Sequence, residues 1–84
     1  MSQSLTEAPT AALVGDARGN TCPGPLMEAR KAIGNVKMGE ILEVIADDAD
    51  AKDNLRAWAE KAGHGFVGGM ATDTSERLFL RRDL

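Results

Sequence analysis

The sequence predicts an α/β fold: a two-layer βαβαββ sandwich with two helices packed on one face of a four-stranded mixed sheet. Three observations predict it. Two stretches carry apolar residues at three- and four-residue spacing, and these read as helices. Four shorter stretches have the apolar character and turn-type boundaries of strands. A chain of 84 residues has room for a single core, so its helices and strands must share one interface between two layers. A domain of this size buries only roughly 60% of its unfolded surface, which leaves little room for a deep pocket and favours chemistry displayed at the surface.

Residues 1–10 hold small polar side chains without an apolar period and are expected to form a mobile tail, leaving 11–84 as the domain. Leu13 and Val14 mark a first short strand that ends in the loop Asp16-Ala17-Arg18-Gly19-Asn20. From Pro23 the pattern turns helical, with Leu26, Ala29, Ile33 and Val36 on one side and Glu28, Arg30 and Lys31 on the other, and it should break near Gly34-Asn35. Residues 40–46 alternate Leu42, Val44 and Ala46 against Ile41, Glu43 and Ile45; a strand apolar on both faces belongs in the middle of the sheet. Asp47, Asp48 and Asp50 are N-cap candidates for a second helix with the stripe Leu55, Trp58, Ala59 and Ala62, stopped by Gly63. Residues 66–72 form a third strand in which Gly68-Gly69 suggests a bulge, Asp73-Thr74-Ser75 a turn, and 76–81 a last strand alternating Leu78 and Leu80 against Arg77, Phe79 and Arg81.

Composition narrows the function. A formal charge of -3 argues against a phosphate-tracking nucleic-acid binder. One cysteine excludes an internal disulfide and a cysteine-based metal cluster, and it suits a reducing compartment. With no apolar stretch of about 18 residues and no charged-then-apolar leader, neither a membrane span nor a secretory signal is expected, and the cytoplasm is the default.

That cysteine carries the chemistry. Cys22 precedes Pro23-Gly24-Pro25, and proline is favoured at the first helical position. If Pro23 opens the helix, Cys22 is the N-cap; if Pro25 does, the sulfur lies just outside. In either register a helix N-terminus favours an anion by about 0.3 to 1 kcal/mol, which moves the thiol modestly toward the reactive thiolate. Gly24, lacking a side chain, lets a partner's sulfur approach. The bland alternative is a cysteine serving as a small buried hydrophobe, which a loop-to-helix position disfavours.

The segment Asp16-Ala17-Arg18-Gly19 followed by Cys22-Pro23-Gly24-Pro25-Leu26 resembles the signature of the TusA/SirA-like sulfur-carrier family, in which Cys-Pro-x-Pro opens the first helix. Similarity continues through Gly39-Glu40-Ile41-Leu42-Glu43-Val44, Ala46-Asp47-Asp48, Trp58 and Gly63-His64, covering about residues 12–82. The departures are Asn20, where an apolar residue is usual, and Gly15, where a branched apolar residue is common; they bear on loop packing and partner choice. The resemblance implies the βαβαββ fold and a Cys22 that accepts sulfur as a persulfide, or carries a thiosulfonate, and passes it to an acceptor protein. It implies a donor protein such as a cysteine desulfurase or a rhodanese-like protein, a pathway such as tRNA thiolation, cofactor assembly or sulfur oxidation, and a carrier rather than a stand-alone turnover enzyme. No cofactor and no metal are expected, and the chain is expected to act as a monomer that docks transiently.

Around Cys22, Pro23, Gly24 and Pro25 are candidate partner-binding residues, and Arg18, Arg30 and Lys31 could form a basic rim drawing in an acidic partner or a small sulfur anion such as thiosulfate. A solvated surface is the plainer account of those three. Asp16 is expected to shape the loop, and His64 to serve at a helix end rather than beside Cys22. Asp47, Asp48, Asp50 and Asp53 lack the glycine and glutamate of a calcium loop and suit capping. Met27, Met38 and Met70 suit packing or contact. Two other classes remain open: a non-catalytic module binding RNA or protein through its sheet, which would not need the thiol, and a dithiol redox enzyme, which would need a second cysteine from another chain.

Overall fold

The protein, seen in a computed structural model, is described over residues 9–19 and 24–84; the expected tail lies mostly outside that range. Its elements follow the predicted order: β1 (Leu13–Asp16), α1 (Gly24–Ala32) continuing into a 3-10 turn (Ile33–Asn35), β2 (Ile41–Ala46), α2 (Ala51–Ala62), β3 (Gly65–Ala71) and β4 (Glu76–Arg81). The sheet runs β1-β2-β4-β3. β1 and β2 are parallel, with α1 as their crossover, and the other two pairings are antiparallel. β2 is interior, as its two apolar faces require.

Both helices cover one face. Leu42, Val44, Ala46, Leu78 and Leu80 from the sheet meet Ala29 and Ala32 of α1 and Ala51, Leu55 and Ala59 of α2. The helices present mostly alanine to the sheet, so a few leucines fill the space between layers. Gly63, at φ +85°, ends α2 by donating its N–H to Ala59 and Glu60 carbonyls, a left-handed cap that glycine adopts without steric cost. Gly15 serves closeness instead: a Cβ there would stand 3.1 Å from Glu28 Cγ. The missing side chain leaves room for the Glu28 side chain of α1 to lie close against β1.

The opposite face carries Glu43 and Phe79, paired across β2 and β4. Glu43 is buried, and its carboxylate accepts two bonds from Arg77, at 2.8 Å from Nε and 3.1 Å from Nη2. That bond raises the Arg77 pKa. The guanidinium also lies 5.4 Å over the Phe79 ring. The irregularity expected at Gly68-Gly69 falls one step earlier, where the register shifts between Phe66 and Gly68. Among the described residues, no helix is long and apolar enough to cross a membrane.

Candidate functional site

Because β1 and β2 are parallel, the segments leaving their C-terminal ends emerge side by side. Ala17 prolongs the pairing, donating its N–H to Ile45 O at 2.8 Å, and its side chain is fully buried. Asp16 then bends the chain. Its Oδ1 accepts the Arg18 backbone N–H at 3.0 Å, while the carboxylate takes Arg18 Nε at 2.9 Å and Nη2 at 2.6 Å. Gly19 follows with φ +84°. Its N–H donates to the carboxylate of Asp47, 3.1 Å from Oδ1 and 2.9 Å from Oδ2.

The Arg18 side chain and backbone N–H hold the Asp16 pKa down, from 3.8 to about 2. A carboxylate depressed by folding contributes stability above its unfolded pKa, and that contribution is lost as pH falls through the folded value. Asp16 should therefore stay ionised through the window from 3.8 to about 2. A carbon-detected NMR titration checks this: the Asp16 midpoint should sit near 2 in the wild type and return toward 3.8 in Arg18→Ala.

The chain next described is α1. Asn20, Cys22 and Pro23 lie outside the described residues, and the choice between helix registers lies with them. α1 is seated by buried Pro25, Ala29 and Ala32. Its outward side borders a shallow hollow of about 550 Å³ lined by Gly24, Met27, Glu28, Arg30 and Lys31. Three of the predicted residues, Gly24, Arg30 and Lys31, thus share one surface. Arg18 is not among the lining residues, and its charge is engaged by Asp16. Arg30 and Lys31 also stand in the last turn of α1, where the helix dipole favours cations. Met27, predicted only as a packing or contact residue, is 55% exposed. A second, smaller groove of about 320 Å³ runs between the helices past Leu26, Ala57 and Trp58.

Residues 15–82 match the model of the family described as sulfurtransferase TusA. The chain belongs to that family. Among TusA-type relatives, a proposed sulfur carrier protein of Archaeoglobus fulgidus is 46% identical over 70 residues, covering 83% of this chain and 96% of the other. The proposed sulfur carrier YrkF of Bacillus subtilis is 39% identical over 72 residues, 86% of this chain, and the chain spans 39% of YrkF's length. A SirA-like protein of Desulfitobacterium hafniense has the same fold, with TM-score 0.74 at 24% identity over 86% of this chain and 99% of that one.

Other residues of this TusA-family chain fall away from the loop. His64 follows the α2 cap; its Nδ1 accepts the Asp83 N–H at 3.1 Å and its ring lies 5.7 Å from that of Trp58. Asp50 holds the N-cap position of α2 without a side-chain capping bond, and Asp48 Oδ1 accepts the Asp50 N–H at 3.3 Å. Asp47 is the residue that sequence reasoning misassigned, since it ties down the β1–α1 loop instead of capping α2. The parallel pairing of the strands before each loop was the signal that could have found it. Among the described residues, no group of three or more His, Cys, Asp or Glu side chains is placed to hold a metal ion.

Proposed function

We propose that this chain is a sulfur carrier that accepts sulfur on Cys22 and delivers it to an acceptor protein. The observation that carries this is the family match over residues 15–82, which includes Cys22-Pro23-Gly24-Pro25. Physical chemistry supports it from the described side: the described part of α1 begins at Gly24, two positions after Cys22 in the sequence, and a helix N-terminus favours an anion by about 0.3 to 1 kcal/mol. A persulfide is more acidic than a thiol, so the same end suits the loaded state.

Loading is an exchange without net oxidation. The Cys22 thiolate attacks the outer sulfur of a donor persulfide; a sulfur–sulfur bond forms on Cys22 as the donor's breaks, and the donor leaves as a thiolate. Delivery repeats the step, with the acceptor's nucleophile attacking the outer sulfur and Cys22 leaving as thiolate. Neither step needs a metal or a redox cofactor. The hollow beside Gly24 offers Arg30 and Lys31 to an acidic donor or acceptor surface. A lone thiol used in this way suits a reducing compartment such as the cytoplasm.

Mass spectrometry after incubation with a cysteine desulfurase and cysteine tests the proposal. The wild-type chain should gain one sulfur atom, removable by a reducing thiol, and the added mass separates a persulfide from a thiosulfonate. A chain that gains nothing from this donor or from inorganic polysulfide is not a carrier.

A further inference from the structure

His64 is the only histidine of the chain, and the proposed sulfur chemistry does not use it. It stands directly after the Gly63 cap of α2, where its own N–H donates to Ala59 O at 2.8 Å. Across it runs the segment that leaves β4. Asp83 donates its backbone N–H to His64 Nδ1 at 3.1 Å, and a Cβ on Gly63 would run into the Leu84 side chain. Arg82 ties the same segment to the connection between α1 and β2. Its carbonyl accepts the Gly39 N–H at 2.6 Å, its N–H donates to Glu40 O at 3.0 Å, and its guanidinium donates to Val36 O at 2.7 Å. Residues 82–84 thus reach from the chain that follows α1 to the end of α2. We propose that they form a strap latched to α2 by neutral His64, and that a proton on the imidazole unlatches it.

Nδ1 accepts a hydrogen bond only while it carries no proton, and an imidazole changes charge between about pH 5 and 8. Protonation therefore removes the acceptor and sets two N–H groups against each other. An opposing effect has to be weighed, since a cationic ring is drawn to the Asp83 carboxylate. That carboxylate is already engaged, taking Arg81 Nε at 2.7 Å and Nη2 at 3.0 Å. Its bond with Arg81 is the main reason its pKa lies below 3.8, and the imidazole is the smallest influence on it. Of the other charged residues on the elements that meet here, Glu60 and Lys61 belong to the last turn of α2, and Arg82 is turned to the Val36 and Leu84 carbonyls. β3 opens with uncharged Gly65 and Phe66. Loss of the bond and attraction of the charge thus predict opposite signs, and the geometry favours release. The consequence reaches a groove: the His64 ring lies 5.7 Å from that of Trp58, which lines the hollow between the helices.

Solution NMR of the full chain between about pH 8 and pH 5 tests this, with the single histidine ring and the Asp83 amide as readouts. As the ring protonates, exchange of the Asp83 amide proton, corrected for the intrinsic effect of pH, should rise about fivefold, the factor that one hydrogen bond of ordinary net strength supplies. Its midpoint should coincide with that of the ring. The Asp83 carboxylate cannot mimic this response, because it is held below 3.8 and titrates outside the range. His64→Asn leaves a side-chain oxygen to accept the bond and has no proton to gain there, so its Asp83 amide should stay protected throughout. His64→Phe keeps a ring against Trp58 without an acceptor, so its amide should exchange at the fast rate throughout. Exchange that stays constant as the wild-type ring titrates would overturn the latch, and so would exchange that slows, since the charge would then be holding the strap. A His64→Asn chain that still responds to pH would overturn it as well. Should either variant fail to fold, the wild-type titration alone decides.

Discussion

A Cys22→Ser chain should fold like the wild type and take up no sulfur from any donor, down to the detection limit of the mass measurement. The fold should survive because α1 is seated by Pro25, Ala29 and Ala32, all of which remain. Uptake should vanish for a chemical reason. A free thiol with a pKa near 8.5 supplies a few per cent of a strong nucleophile at neutral pH, whereas a hydroxyl supplies almost none without an adjacent base. No other cysteine can take over. A relay assay extends the test: preloaded wild type should hand labelled sulfur to an acceptor, and the serine chain should interrupt that transfer without abolishing donor binding. Equal loading of the serine chain would place the chemistry elsewhere.

Leu55→Ala should cost toward the upper end of the usual range of about 2 to 5 kcal/mol for such truncations. Leu55 is fully buried on α2, and the other buried residues that the two helices give to the core are alanines, Ala29 and Ala32 of α1 and Ala51 and Ala59 of α2. Alanines cannot change rotamer to fill a void, so the cavity left by the leucine should persist. The chain has little stability to lose, since 84 residues at the usual per-residue value amount to about 4 to 13 kcal/mol in total. Urea denaturation should show a large drop in midpoint for Leu55→Ala and a small one for the volume-conserving Leu55→Met. Equal midpoints for wild type and Leu55→Ala would mean that the layers close over the gap.

How far this fold could be read in advance depended on whether a feature is local. β4 was legible to the residue, because Leu78 and Leu80 alternate against Arg77, Phe79 and Arg81 and the alternation itself defines which residues face the helices. α2 was legible for the same kind of reason, its stripe running cleanly to a glycine stop. The Glu43–Arg77 bond was half visible: alternation put both residues on the outer face, but their meeting depends on the register of β2 against β4. Asp47 was misassigned because an aspartate before a helix has a sufficient local explanation, and its actual partner is distant in sequence. Local order also says nothing of charge already engaged, which is why Arg18 entered as a rim cation while the structure commits it to Asp16. The hollow beside Gly24 needed three dimensions, although the residues lining it lie within a single short helix.

Among the described residues, the order β1-β2-β4-β3 leaves β1 and β3 each with an unpaired side. Such sides are templates on which another chain can add a strand, and proteins guard them by keeping edge strands short or irregular. Here β1 is only four residues long and β3 is broken in register between Phe66 and Gly68. Neither offers a long flat ladder to a second copy or to an extended peptide. On the proposed carrier role, a molecule that must leave each partner after a delivery has reason to avoid so adhesive a mode of contact, and its borders are built in a way that refuses it.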